Sequence, residues 1–424
     1  MNIAVLVSML TFIAIGVPIA VSLILASTIG INFFTNLPLV IIPQRVLSGI
    51  NSFPLMAVPF FILAGNMMSS GGMSVRLVNV AKSLTSNIQG GLAISCVLTC
   101  MMFAAVSGSS VATTFAIGSI LIPAMIRHGY PKPVAASIQA SSAELGVLIP
   151  PSIPLILYGV STDTSIGQLF LAGIGPGVLV AFALIAYVYV LCKIKGYGSG
   201  NESEVYGFLH SISNAKAALF MPVIIIGGIY GGIFTPTEAS AVAVAYAFVV
   251  SFFVYKTASW RELPGILQKS VISTVVIMMI IAAASLISYV VTRSGLSGLI
   301  ATSFLGFFDS PVSFLIAVNL LLLFVGMFIE TSAAILILAP ILAPIAAQFG
   351  ISYVHFGMIM VVNLALGMIT PPLGVNLFAA CSVAGIPLHN IIRSLVPFVL
   401  VIMACLAVVT FVPSVSLFLI NAFY

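Results

Sequence analysis

The chain has 424 residues, 61% of them hydrophobic and 5% charged, with a formal net charge of +5. Soluble domains carry about a quarter charged residues, so this composition excludes one, and apolar runs that are continuous rather than alternating argue against a closed barrel. The basic residues are scattered among loops, so their excess reports membrane topology and not nucleic-acid binding.

Mean hydropathy is +1.30, and apolar runs of about 20 residues, enough to cross the hydrocarbon of a bilayer, recur along the whole length. The composition predicts an all-α polytopic membrane protein embedded in the lipid bilayer. The first run, M-N-I-A-V-L-V-S-M-L, has no basic segment or small-residue cleavage site and reads as a membrane helix over about 3–28. An amphipathic stretch follows at about 32–50, then a helix over about 53–71, with Arg76 and Lys82 beyond it. Two apolar arms, about 89–106 and 111–126, meet at S-G-S-S, and a helix over about 133–160 is broken at P-P-S-I-P. A helix at about 168–192 leads into a hydrophilic linker, 193–212.

The second half repeats the scheme. A connecting helix, about 214–233, precedes F-T-P-T-E-A and a helix to about 255; another helix covers about 270–292, followed by a short apolar segment to Phe308. Two arms, about 312–328 and 332–347, meet near Glu330; a broken helix, about 354–380, carries L-G-M-I-T-P-P, and a last helix covers about 394–420. Displacing the sequence by 221 residues pairs Pro123 with Pro344, Gly129 with Gly350, Gly146 with Gly367, Pro150 with Pro371 and Pro151 with Pro372, without a gap. Matched Gly and Pro specify backbone breaks and are costly to match by chance. The expected organisation is repeat A over 1–195, a polar linker and connecting helix over 196–233, and repeat B over 234–424.

If each two-arm segment is a re-entrant hairpin, the positive charges sort sharply. Arg76, Lys82, Arg127, Lys132, Lys193, Lys195, Lys216, Lys256, Arg261, Lys269 and Arg393 fall on one face, and Arg45 and Arg293 on the other. The crowded face is then cytoplasmic, the N-terminus inside and the C-terminus outside, and the two repeats are inverted. Inverted repeats with broken helices are the mark of a secondary transporter with its site at mid-membrane.

The candidate site follows from the breaks. A proline lacks an N–H and frees the carbonyl four residues earlier, and hydroxyls beside freed carbonyls suit a hard cation such as Na⁺. Serine and glycine also serve plain helix packing in membranes; ion coordination is the preferred reading because the hydroxylated tips face repeat-matched breaks. One Na⁺ site is expected from Ser107, Gly108 and Ser110 with Gly146, Ile149 and Pro150. A second is expected from Gly326, Glu330 and Thr331 with Gly367, Thr370 and Leu373. Ser109, Thr113, Ser152, Ser332 and Asn376 are the candidates for substrate contact, near half-helix N-termini that attract an anion. Of the carboxylates near membrane depth, Glu238 reads as a helix cap and Asp163 as an exposed turn, whereas Glu144 and Glu330 can neutralise a cation or relay a proton. Cys96 and Cys100, four apart, read as buried small hydrophobes and not as a metal pair. No ATP-cradling glycine loop, H-E-x-x-H or nucleophile–base pair is present, so an enzyme is not expected.

Three stretches together resemble the large membrane subunit of TRAP (tripartite ATP-independent periplasmic) transporters: G-G-I-Y-G-G-I-F-T-P-T-E-A-S-A-V-A (227–243), G-Y-P-K-P-V-A-A-S-I-Q-A-S-S-A-E-L-G-V-L-I-P-P-S-I-P (129–154) and L-G-M-I-T-P-P-L-G-V-N (366–376). The resemblance implies an ion-transporter-like elevator fold, Na⁺ coupling without ATP, and location in a bacterial inner membrane. It also implies a small four-helix membrane partner, here a separate chain, and a soluble periplasmic binding protein that delivers an organic acid. Ala143-Glu144 stands where many members have Gly-Thr, which is similar to the sialic-acid branch and makes sialic acid the expected substrate. A single-subunit Na⁺/dicarboxylate symporter, a C4-dicarboxylate TRAP subunit, and a channel or structural subunit are the alternatives.

Overall fold

The structure is a computed structural model, described for residues 2–198, 207–294, 308 and 310–423. Every regular element among the described residues is helical, and eight helices are long and apolar enough to cross a membrane, with a bent pair as a ninth span.

The chain opens with α1 (Asn2–Ala14) and α2 (Ile19–Phe34), then the short α3 (Ile41–Ile50) and α4 (Ala57–Ser70). The single first helix expected over 3–28 is therefore two helices. Pro18 has no N–H to continue the ladder, and Gly16 at φ 86 turns the chain just before it. Next comes α5 (Met73–Thr85), which carries Arg76 and Lys82 and was not expected as a helix. Its face of Met73, Leu77, Val78 and Ala81 is buried, and the Arg76 guanidinium lies over the Tyr255 ring, 3.7 Å from its centroid. Too few apolar residues in too short a run hid it from a search for spans.

The first hairpin is α6 (Gly91–Ser107) and α7 (Ser110–Arg127); the first broken helix is α8 (Lys132–Ala143), α9 (Leu145–Leu148) and α10 (Ile153–Thr162), bent by 41°. The long α11 (Ile166–Lys195) follows, then α12 (Phe208–Tyr230), α13 (Pro236–Val249) and α14 (Leu263–Arg293). The apolar segment expected up to Phe308 lies, apart from Phe308 itself, outside the described residues, as does 199–206 of the polar linker. The second hairpin is α15 (Pro311–Gly326) and α16 (Thr331–Gln348); the second broken helix is α17 (Tyr353–Met368) and α18 (Val375–Ala384). The expected last helix is also two, α19 (Leu388–Phe411) and α20 (Ser414–Phe423), divided at Val412-Pro413.

Packing explains why the breaks matter. The piece beyond the first break, α10, packs on α16 of the second hairpin, and the piece beyond the second break, α18, packs on α7 of the first. Each half thus completes the other around one large core. A smaller core joins Val5, Met9, Leu23 and Ile31 of α1 and α2 to Leu286, Ile287 and Val290 of α14. On the outside, Val271, Ile272, Val275, Val276 and Met279 of α14 and Phe220 and Val223 of α12 are exposed, as a lipid-facing surface requires. Trp260 packs among Phe248, Phe252 and Phe253 next to Lys256 and Arg261, an arrangement suited to the membrane–water boundary.

Candidate functional site

Each hairpin tip rests on a broken helix. α6 stops at Ser107 because Gly108 takes φ 61, which side chains disfavour, and Ser109 then caps α7 by accepting from the Ala112 N–H at 3.4 Å. Ser107 Oγ lies 2.9 Å from Thr113 Oγ1, which donates to the Ser109 carbonyl at 2.8 Å. Across from them the backbone passes through the cis Pro150-Pro151 bond. Ser152 donates to the Val147 carbonyl at 2.6 Å and accepts from the Leu155 N–H, so it closes one helix and opens the next. The Ile153 N–H donates to the Gly108 carbonyl at 3.2 Å. A Cβ on Gly146 would sit 2.7 Å from the Ser109 carbonyl oxygen, so only glycine lets tip and break touch there.

The second copy has the same construction from different side chains. Glu330 caps α16: Oε2 accepts from the Ser332 and Ala333 N–H groups at 2.9 and 3.3 Å, and Oε1 accepts from Ser332 Oγ at 2.9 Å. A carboxylate at this end is favoured by the helix dipole. The Gly374 N–H donates to the Met327 carbonyl at 3.2 Å. Gly374 stands 221 residues after Ile153, the same displacement that aligns the sequence repeat. Gly367 packs on Gly326, where a Cβ would lie 2.5 Å from the Gly326 backbone. Thr370 Oγ1 donates to the Leu366 carbonyl at 2.7 Å.

The two tips converge. The Met368 sulfur accepts from Thr331 Oγ1 at 2.9 Å and from Ser110 Oγ at 3.8 Å, so it lies between the hairpins. Asn376, fully buried, donates to the Ala140 carbonyl at 3.1 Å and to Glu144 Oε1 at 2.7 Å, and accepts from Thr114 Oγ1. Glu144 Oε2 and Ser141 Oγ are buried without a hydrogen-bond partner among the described residues. A buried acceptor left open in this way invites a cation or a water. Among the described residues no group of three His, Cys, Asp or Glu side chains could hold a transition metal. The oxygens gathered here are instead of the kind hard cations take.

Of the expected residues, the structure brings Ser109 and Thr113 against Gly146, Gly108 against Pro151 and Ile153, and Gly326 against Gly367, and it turns Ser110 and Thr331 toward Met368. Ser107 bonds Thr113, Glu330 and Ser332 bond each other, Thr370 bonds Leu366, and Pro150 lies by Gly173. Ile149 turns instead toward Gly177, and Leu373 is 44% exposed. Ser152 and Asn376 are buried with their polar atoms engaged by protein. Glu238 forms a capping box with Thr235 and Asp163 sits in an exposed turn, as expected of both. Cys96 and Cys100 flank Gln139, whose amide reaches both sulfurs at 3.1 and 3.5 Å.

Sequence reading missed Thr114, Met368 and the Asn319–Asn363 pair, in which Asn363 Nδ2 donates to Asn319 Oδ1 at 2.7 Å between α15 and α17. The asparagines had a signal, since amides in apolar helices need partners. Met368 had none, because a thioether looks like any other apolar side chain.

Comparison with known proteins fits this geometry. The family model described as "Tripartite ATP-independent periplasmic transporter, DctM component" matches residues 6–415. The C4-dicarboxylate TRAP transporter large permease protein DctM of Pseudomonas aeruginosa is 45% identical over 87% of this chain and 86% of its own length. The sialic acid TRAP transporter large permease protein SiaM of Vibrio cholerae is 39% identical over 94% of this chain and 91% of its own. The isethionate TRAP transporter permease protein DctMQ of Oleidesulfovibrio alaskensis is 42% identical over 96% of this chain, which spans 64% of that relative. In fold, the chain is similar to the Alcanivorax borkumensis YdaH transporter, with a TM-score of 0.66 over 87% of this chain and 86% of that one at 16% identity.

Proposed function

Because the chain belongs to the DctM component family of tripartite ATP-independent periplasmic transporters, we propose that it imports an organic acid across a bacterial inner membrane by Na⁺-coupled secondary active transport. Its relatives are permeases, which makes the chain a membrane transport component and not an enzyme.

The observation that carries the reading is the pair of tip-to-break backbone contacts, Ile153 to Gly108 and Gly374 to Met327, whose donors stand one repeat displacement apart. A tip held by backbone bonds, with hydroxyls on one side and the carbonyls of a proline-broken helix on the other, is a place where a partly dehydrated ion can replace water. One Na⁺ would lie with Ser107, Gly108 and Ser110 against Gly146 and Pro150, the other with Glu330 and Thr331 against Gly367 and Thr370. Met368 and the Asn376–Glu144 link join the two, so that occupying either tip is felt at the other. The half-helix N-termini at Ile153 and Val375 favour an anionic substrate between them. The hairpins and broken helices would then move as a body against α2, α3, α4, α13 and α14, with the repeats inverted and the N-terminus cytoplasmic.

The partners under this reading are a small four-helix membrane subunit and a periplasmic binding protein that delivers the carboxylate. Sialic acid is the substrate suggested by Ala143-Glu144. A C4-dicarboxylate is the second reading, favoured by the 45% identity to the Pseudomonas aeruginosa permease. Reconstituted uptake decides: labelled sialic acid and succinate are offered to proteoliposomes of the assembled transporter, with the binding protein omitted in turn. Uptake should need the binding protein. Full uptake without it would instead identify a single-subunit symporter.

A further inference from the structure

A cavity of about 390 Å³ lies away from the hairpin tips, between α3, α10, α14 and α16, within the range of roughly 300–1,000 Å³ seen for small-molecule sites. Its polar wall is built by the antiparallel packing of α3 on α14. Gly49 meets Ser285, where a Cβ would collide with the serine side chain, and one turn away the Arg45 guanidinium lies 4.1 Å from the Tyr289 ring centroid. Ser285, Ser288 and Thr292 recur on the same face of α14 as Tyr289, at helical spacing. Their hydroxyls make no hydrogen bond to another described residue. Ser161 of α10 and Pro340 of α16 complete the opposite wall, and no carboxylate lines the space.

We propose that this cavity is an oxyanion-binding site, separate from the hairpin tips, in which Arg45 supplies the charge and the α14 hydroxyls supply donors. The ligand class is a carboxylate, sulfonate or phosphate group. The ring of Tyr289 restrains the guanidinium, and three unengaged hydroxyls, each able to donate, beside a cation with no acid partner in the cavity make a lining that an anion satisfies. The position gives the site a use. Ser161 lies about 13 Å along α10 from the Ser152 cap at 1.5 Å per residue, and Arg45 and Arg293 are the two basic residues that charge sorting assigns to the outer face. An anion arriving from outside would meet Arg45 before it reached the tips. This entry-side role rests on the proposed orientation and import; the existence of the site does not.

The same chemistry can come from a soluble organic acid or from a lipid headgroup, and the test separates them. The full chain is placed in phosphatidylcholine nanodiscs without Na⁺ and titrated calorimetrically with succinate and with isethionate. Parallel discs containing phosphatidylglycerol are examined by native mass spectrometry for retained lipid. Saturable binding of a soluble anion, at least tenfold weaker in Arg45→Ala, severalfold weaker in Ser288→Ala and unchanged in Ser110→Ala, is expected and assigns an organic acid. Arg45-dependent retention of phosphatidylglycerol supports the site equally and assigns a headgroup. If Arg45→Ala fails to fold by thermal melting, Ser288→Ala and Arg45→Lys carry the comparison. Wild-type behaviour of a folded Arg45→Ala, or no saturable binding of any probe by the wild type, overturns the proposal. Anion binding lost in Ser110→Ala but kept in Arg45→Ala also overturns it, while leaving the import reading intact.

Discussion

Asn376 shows how much one side chain can hold at membrane depth. Its amide satisfies Thr114, the Ala140 carbonyl and Glu144 at once, and so ties α18 to α7 and α8. An intramolecular hydrogen bond contributes about 0.5–1.5 kcal/mol net, and leaving its buried partner unpaired costs about 1–3 kcal/mol, so its loss also strands the buried Glu144 carboxyl group. Asn376→Ala should therefore lower the melting temperature in detergent and reduce uptake at least tenfold; near wild-type values of both would reduce the link to incidental packing. Both residues stood out in the sequence as polar groups in apolar helices. Their pairing did not, because partners 232 residues apart leave no local pattern. The hydroxyls at the tips were legible for a different reason: they interrupt the paired apolar arms of each repeat, opposite the breaks that the repeat-matched prolines announce.

Among the helices, close approach is the dominant constraint. Gly146 and Gly367 each remove a Cβ that would strike the facing hairpin. Overpacking of this kind costs about 1–3 kcal/mol, so Gly146→Ala and Gly367→Ala should each lower the melting temperature and impair uptake. Gly227→Ala in α12, where nothing lies within 4 Å, is the matched control and should do neither. Equal effects at all three positions would mean helix propensity and not contact is being measured. Glu238 tests the opposite expectation. Its carboxylate accepts from the Thr235 N–H and hydroxyl at 2.8 Å as an exposed cap, so Glu238→Gln should keep Na⁺-dependent uptake; a lost Na⁺ dependence would move it into the transport site. Helix breaks were read well where Gly and Pro recurred at the repeat displacement. Pro413 had no repeat partner to draw attention to it, Pro18 had only a loose counterpart in Pro236 outside the 221-residue register, and apolar continuity hid both ends.

For the molecule as a whole, the duplication decides the architecture. Hairpin, broken helix and tip contact each occur twice, and each half completes the other through α10 on α16 and α18 on α7. That exchange could not be read from the chain, since displacement of a sequence against itself reports similarity and not contact. Sidedness is open to direct assay, because all five native cysteines are buried. In intact cells a membrane-impermeant maleimide should label Asp163→Cys and spare Trp260→Cys; the reverse pattern would invert the topology. The central claim, that the tips couple Na⁺ to import, is most directly tested by the Na⁺ dependence of uptake in proteoliposomes of the assembled transporter, comparing wild type with Ser110→Ala and Thr370→Ala. The account predicts uptake that stops when the Na⁺ gradient is removed and a severalfold higher half-saturating Na⁺ concentration in each variant. Uptake indifferent to Na⁺, or variants with wild-type Na⁺ dependence, would contradict it.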